Sequence, residues 1–355
     1  MAATFHKLTI KDIRKETHDT VSIAFDIPET LAENFNFIPG QYLTFKKDIN
    51  GEELRRSYSI CSGLNDNELR VAVKKVEQGK FSTFANEQLK SGDSLDIMEP
   101  MGKFHTSIDS KNKKNYAAFA AGSGITPIMS IMKSVLEVEP ESTFTLFYGN
   151  RSIDSIIFHE NIEALKNKYL GRLIVHHVLS RERLESDLFY GRIDKDKAEK
   201  ITKSLIDPNK INEYFLCGPY EMIMDVKEVL ESAGIEKSNI HFELFTTPGE
   251  KVVRKKTVKQ ESFIAQLTVK SDGNTFDIKL KNDEDSILDS ALKTGADLPF
   301  ACKGGVCATC KAMLEEGKVE MDVNYGLEED EIEAGYILTC QAHPTTPKVV
   351  VNFDV

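Results

Sequence analysis

The chain carries Cys302-Lys-Gly-Gly-Val-Cys307-Ala-Thr-Cys310, and Cys340 follows after 29 further residues. Three thiols from one short loop can converge on a metal centre only if the loop curls tightly. Gly304 and Gly305 permit backbone conformations that a Cβ hinders, and the N–H groups of such a loop can turn toward the sulfurs. Cys340 brings a fourth thiol from a distant segment. Structural zinc also accepts four cysteines, but its sites ordinarily pair two short C-x2-C knuckles. One triple loop with a solitary fourth cysteine has instead the C-x4-C-x2-C…C spacing of a [2Fe–2S] centre. Cys302, Cys307, Cys310 and Cys340 are therefore the expected cluster ligands, and a centre of that kind passes electrons singly.

Around this loop the sequence reads as a small acidic domain. Ala265–Lys270 and Thr275–Leu280 alternate as two strands joined across Ser271-Asp-Gly-Asn, and a short helix is expected over Ser286–Thr294. Residues 263–355 hold 8 Lys/Arg against 17 Asp/Glu, so they carry −9 of the chain's net −11. Such a surface can steer docking to a basic partner, or can simply be solvated. Upstream, Pro248-Gly249 and the cations Lys251, Arg254, Lys255, Lys256 and Lys259 read as a solvated basic linker over 248–262.

The bulk composition is that of a globular protein, with 41% hydrophobic and 28% charged residues. At 355 residues, two or three domains are expected. The negative charge argues against nucleic acid, whose phosphates need a basic face. No apolar run is long enough for a transmembrane helix, and the N-terminal residues alternate like a strand rather than forming a signal peptide. The expected location is the cytoplasm, where clustered cysteines bind metal rather than form disulfides.

Residues 1–108 show short alternating runs with turn punctuation, such as Thr20–Phe25, Gln41–Phe45 and Leu69–Val73, which argue for an antiparallel β-barrel. One helix is expected near Phe81–Leu89. From 109 to 247 strands and helices alternate: strands at Tyr116–Ala121, Thr143–Tyr148, Leu173–Leu179 and Tyr214–Cys217, and helices at Pro127–Glu137, Ile162–Leu170 and Tyr220–Ala233. That alternation predicts an α/β domain with a parallel sheet.

Two of these domains carry motifs. Arg56-Ser57-Tyr58-Ser59 lies on a barrel strand downstream of Pro39-Gly40-Gln41-Tyr42, and Gly79-Lys-Phe81-Ser82-Thr83 opens the barrel's helix. Glu99-Pro-Met-Gly102-Lys-Phe104 ends the barrel. Ala121-Gly122-Ser-Gly124-Ile-Thr126-Pro127 joins the first buried strand of the next domain to a helix, whose start favours phosphate. Cys217-Gly218-Pro219 closes a later strand, and His241-Phe-Glu243-Leu-Phe245 follows. His176 and His177 are adjacent on a strand and so face opposite ways. The remaining histidines are dispersed, and none is given a role. Cys61 reads as core.

Together these segments resemble the ferredoxin–NADP reductase superfamily, in the form of single-chain reductases that feed bacterial oxygenases and end in a ferredoxin domain. The resemblance implies a multidomain α+β chain: an antiparallel flavin-binding β-barrel, an α/β parallel-sheet nicotinamide-binding domain, and a β-grasp ferredoxin domain over 263–355. It implies that Arg56, Ser57, Tyr58, Ser59, Val73, Lys74, Gly79, Phe81, Ser82 and Thr83 hold the flavin, expected to be FAD rather than FMN from the Pro100–Phe104 segment. Gly122, Gly124, Thr126, Cys217 and Gly218 would hold the nicotinamide nucleotide. Arg151, Ser180 and Arg181 could take a 2′-phosphate, so NADPH is expected over NADH. Ser59, Cys217 and Glu243 would act catalytically beside the two rings. The run Leu179-Ser-Arg-Glu182…Tyr190-Gly-Arg-Ile193 and the Thr246-Thr-Pro-Gly249 linker look most like the reductases of phenylacetyl-CoA epoxidases, which implies a di-iron oxygenase partner docked at the acidic ferredoxin face, in phenylacetate catabolism. Reductases of ketosteroid hydroxylases or Rieske oxygenases share the redox motifs, and a redox-sensing module without steady turnover is the alternative from another class.

Overall fold

Alternation turns the N-terminal residues into a barrel whose interior is apolar. In the computed structural model, which describes residues 4–184, 186–245 and 262–354, β1 (His6–Thr17) buries Leu8 and Ile10 while Lys7, Thr9 and Lys11 face out. It is followed by β2 (Thr20–Asp26), β3 (Tyr42–Ile49), β4 (Glu52–Ser59), β5 (Leu69–Lys74), α1 (Lys80–Glu87) and β6 (Ser94–Ile97). The six strands lie in the order β4-β3-β6-β1-β2-β5. Just past β4, Ile60 bridges Val71 of β5, which closes the sheet on itself. Phe25, Phe45, Leu43, Val71 and Ile97 fill the interior. Cys61 is buried, as expected, and its thiol donates to the Arg70 carbonyl at 3.3 Å.

The second domain is a parallel sheet. It runs β7 (Asn115–Ala121), α2 (Ile125–Val138), β8 (Thr143–Asn150), α3 (His159–Lys168), β9 (Leu173–Leu179), α4 (Lys195–Ser204), β10 (Glu213–Gly218), α5 (Tyr220–Ser232) and β11 (Ile240–Leu244). The strand order is β11-β10-β7-β8-β9, with every recorded pairing parallel. The chain moves outward from β7 to β9, then crosses back to β10. The order thus reverses between β7 and β10, and open α/β sheets bind ligands outside the carboxyl ends of strands at such a switch point. Helix α4 was not expected: its sequence is polar and buries little beyond Ala198, Ile201 and Thr202. Helix α3 begins three residues earlier than expected, from a left-handed Phe158 (φ 63°).

Lys7–Leu54 and Tyr58–Phe245 form one compact unit, and Ser262–Asp354 belong to a second. In the second, β12 (Ile264–Ser271) and β13 (Asn274–Lys281) form the expected hairpin, and α6 (Ile287–Lys293) follows. Then come β14 (Lys311–Glu316), β15 (Val319–Met321), α7 (Glu329–Glu333), β16 (Tyr336–Leu338), β17 (Ala342–Pro344) and β18 (Lys348–Asn352). The mixed sheet β13-β12-β18-β14-β16 has β18 parallel to β12, and Ile287, Leu288 and Ala291 of α6 share its core, a β-grasp arrangement. The expected linker, 248–262, lies outside the described residues except for Ser262. No helix among the described residues is long and apolar enough to cross a membrane.

Candidate functional site

At the switch point the carboxyl ends of β7, β10 and β11 meet the barrel. Cys217 and Glu243 are paired across the parallel strands β10 and β11. From the barrel side, the Ser59 hydroxyl at the end of β4 donates to Glu243 Oε2 at 3.1 Å. Desolvation raises the Glu243 carboxyl to about 8, and the Ser59 hydrogen bond opposes only part of that shift. Cys217 is fully buried, and both burial and the neighbouring carboxylate push its thiol well above the ordinary range. The three residues expected to be catalytic are thus brought together in this unit.

The glycines of the loop before α2 do different jobs. Gly122 has φ +53°, and a Cβ there would point into open space, so its backbone is approachable. Its carbonyl accepts a 3.0 Å hydrogen bond from the Tyr148 hydroxyl. A Cβ on Gly124 would instead overlap the Cys217 carbonyl and come within 2.8 Å of the Gly218 nitrogen. Gly124 therefore locks the loop against the C-G-P turn. Gly218 has its own close neighbours, the Met222 methyl and Ala121. Thr126 is buried and its hydroxyl donates to the Ser123 carbonyl at 3.0 Å, closing its own turn.

Several barrel motifs build the scaffold. Gly40 (φ +104°) leaves no space for a Cβ beside the Phe104 carbonyl, and Gly102 (φ +120°) packs on the Tyr42 ring. Phe104 is buried edge-on to Phe215 of β10, with centroids 5.6 Å apart, so this segment joins barrel to α/β domain. The Tyr58 ring stacks on Phe81 at 5.6 Å, and the Phe81 side chain belongs to the barrel core. The Ser82 hydroxyl accepts from the Val76 N–H and donates to the Gly79 carbonyl, holding the turn that starts α1. The Thr83 N–H donates to the same Gly79 carbonyl. Val73 is core, and Lys74 lies 3.6 Å from the Asp19 carboxylate. The Arg56 guanidinium donates to the Arg55 carbonyl, and Ser57 lies between Arg56 and Tyr58 on β4. An aromatic ring braced on one face, a hydroxyl, a protonatable carboxylate and a helix start are a donor set that fits a flavin.

At the ends of β8 and β9, the N–H groups of Ser180 and Arg181 donate to the carbonyls of Asn150 and Arg151. Arg151 and Arg181 are exposed, and among the described residues neither guanidinium has a partner. Sequence reading gives Glu182 no role of its own, yet its carboxylate accepts the Ile153 N–H at 2.9 Å and caps the adjoining turn. No local pattern could have found that pairing, because it joins the loops after two different strands.

In the other unit the four cysteine sulfurs fall into two contacting pairs, Cys302 with Cys307 and Cys310 with Cys340. The Cys307 thiol and the N–H groups of Gly304, Val306 and Cys307 point at the Cys302 sulfur and lower its pKa. The Cys307 and Cys310 thiols, serving as donors to their partners and desolvated, are raised. Gly305 (φ +73°) has Val323 within 2.7 Å of any Cβ, so this glycine is required for the curl, and the other left-handed residues of the loop are Lys303 (φ +52°) and Ala308 (φ +53°) rather than Gly304. Two thiol pairs fit two irons, one pair each, whereas a single zinc would draw all four sulfurs into one tetrahedron.

Residues 7–106 match the oxidoreductase FAD-binding domain family, residues 119–228 the oxidoreductase NAD-binding domain, and residues 269–345 the 2Fe-2S iron-sulfur cluster binding domain. The chain is 47% identical over 351 residues to one of the subunits of the 1,2-phenylacetyl-CoA epoxidase of Escherichia coli K12, covering 99% of this chain and 98% of that one. It is 33% identical to the ferredoxin reductase component of the 3-ketosteroid-9-alpha-monooxygenase of Rhodococcus rhodochrous, covering 98% and 96%. Among solved structures, phthalate dioxygenase reductase has the same fold over 98% of both chains, with TM-score 0.58 and 21% identity. A self-sufficient cytochrome P450 monooxygenase superposes on 98% of this chain through 41% of its own, with TM-score 0.72 and 19% identity. The chain belongs to the ferredoxin reductase-type oxidoreductases of oxygenase systems, with FAD-binding, NAD-binding and C-terminal 2Fe-2S domains in one polypeptide.

Proposed function

We propose that the chain takes reducing equivalents from NADPH and delivers them singly to a di-iron oxygenase acting on phenylacetyl-CoA. The observation that carries this reading is the meeting of Ser59, Glu243 and Cys217 where the barrel adjoins the switch point of the parallel sheet. A bound flavin accepts a hydride as an electron pair, and a [2Fe–2S] cluster carries one electron at a time, so the two together convert pairs to single electrons. The chain's own residues position the groups. Tyr58, braced by Phe81, offers a ring edge and hydroxyl, Arg56 offers charge for a pyrophosphate, and the Gly79–Ser82 turn offers N–H groups. Ser59 and Glu243 would hold a proton for a flavin bound beside them, and Cys217 is buried next to that pair. Gly122 leaves its backbone open to a dinucleotide phosphate, and the exposed guanidinium groups of Arg151 and Arg181 favour a 2′-phosphate. The 47% identity to a component of an epoxidase supports the acceptor, and the acidic ferredoxin domain supplies a face for it.

The test is turnover. The loaded chain is mixed with the purified oxygenase components of phenylacetyl-CoA epoxidase, phenylacetyl-CoA and either NADPH or NADH, and epoxide is measured. Epoxide formation is expected, with kcat/KM at least about tenfold higher for NADPH, a preference that R181A erodes. Cytochrome c reduction without epoxide would overturn the acceptor, and a preference for NADH would overturn the 2′-phosphate assignment.

A further inference from the structure

Behind the nucleotide loop, α3 and β9 bring together three side chains that the redox chemistry does not use. His159 and Glu163 are four residues apart on α3, one turn along the same face. His177 comes from β9, on the sheet face opposite His176, which is stacked between Phe147 and Phe189. The donor atoms of His159, Glu163 and His177 all lie within 4.8 Å of one another. His177 Nε2 stands 3.7 Å from Glu163 Oε1, beyond hydrogen-bond reach, and its ring is 5.7 Å from that of His159, edge to face. Both ring nitrogens of His177 are buried, and among the described residues neither has a hydrogen-bond partner. A buried polar atom without a partner is costly, so a native fold that leaves two of them on one ring needs a reason.

We propose that His159, Glu163 and His177 form a binding site for a divalent transition cation of the zinc type, separate from the cluster. Two imidazoles and a carboxylate are three of the four ligands such a cation takes, and water would complete the tetrahedron. The Glu163 side chain is 40% exposed, which leaves an entry path. One group competes: the Lys166 ammonium holds both Glu163 oxygens, at 2.9 and 3.0 Å. Its side chain is itself a third exposed and reaches Glu163 across one helical turn, so a cation can displace it outward. The site lies against Tyr148, whose ring is 6.1 Å from that of His177 and whose hydroxyl holds the Gly122 carbonyl. Bound metal would therefore stiffen the support of the nucleotide loop.

The holoprotein, with flavin and cluster loaded so that the four cysteines are occupied, is titrated with zinc chloride by calorimetry. One zinc per chain is expected. H159Q and H177Q should each weaken binding at least about tenfold, and K166M, which removes the competing ammonium, should tighten it several-fold. Flavin absorbance reports that each variant is folded. No saturable zinc binding in the wild type, wild-type affinity in either histidine variant, or no tightening in K166M would each overturn the proposal.

Discussion

At the residue scale, Glu243 concentrates the chemistry of the cleft. Its carboxyl is raised to about 8 by desolvation, against an ordinary value near 4.5. Between those two values the native state binds the proton more tightly than the unfolded chain, so this group's stabilising contribution is complete below about 4.5 and is lost as pH rises through 8. Thermal unfolding from pH 5 to 9 should therefore show E243Q level with the wild type in acid and more stable by on the order of 2 kcal/mol at the alkaline end. A difference that does not change with pH would mean the carboxyl is solvated. Sequence singled out Glu243 because of its segment, but the Ser59 partner 184 positions away needed the fold. The glycines show the same division. Their presence in G-x-G-x-T-P was legible, yet which one faces open space and which one locks onto Cys217 depends on β10, whose position no local pattern encodes.

At the scale of elements, the strands of the parallel sheet are tied at their amino ends as well. Glu213, the first residue of β10, accepts from Lys114 beside β7 at 2.6 Å and lies 3.2 Å from His241 Nε2 on β11. Burial would raise its pKa, but hydrogen bonds from His241, Lys114 and Thr106 overcome that and bring it down to about 2. With the folded value below the unfolded one, its stabilisation is present above about 4.5 and disappears as pH falls toward 2. E213Q should lower stability by about 2 kcal/mol at neutral pH and converge with the wild type in acid, which urea unfolding across pH can measure. Most strands and α2, α5 and α6 were readable, because each has a run of apolar residues at one period. Helix α4 was not, since its ten residues are mostly charged and it is held by neighbours rather than by a broad apolar stripe. Nor were the short strands β15, β16 and β17, three residues each, where tertiary pairing outweighs propensity.

Over the whole molecule, charge is the property that sequence conveyed most directly, because summing it requires no coordinates. The C-terminal domain's −9 gathers in part at α7, where Glu328, Glu329, Asp330 and Glu333 are exposed around Ile332, while Glu331 turns inward to Lys311 at 2.9 Å. If that turn meets a basic acceptor, reduction of cytochrome c should slow several-fold as ionic strength rises from about 0.01 M to about 0.1 M, where the Debye length shrinks from about 30 to about 10 Å. The combined variant E329Q, D330N, E333Q should flatten that salt dependence, and a slope equal to the wild type's would move docking elsewhere. The division into Lys7–Leu54 with Tyr58–Phe245 and a unit carrying all four cluster cysteines also sets an order of manufacture. Translation at about 5–20 residues per second delivers the first unit roughly 5–20 seconds before the last hundred residues are complete. The hydride-handling part can fold while the iron-binding part is still being made. A chain whose flavin is loaded but whose cluster is not would have no outlet for single electrons, so insertion of the iron–sulfur centre is the step that completes the electron path.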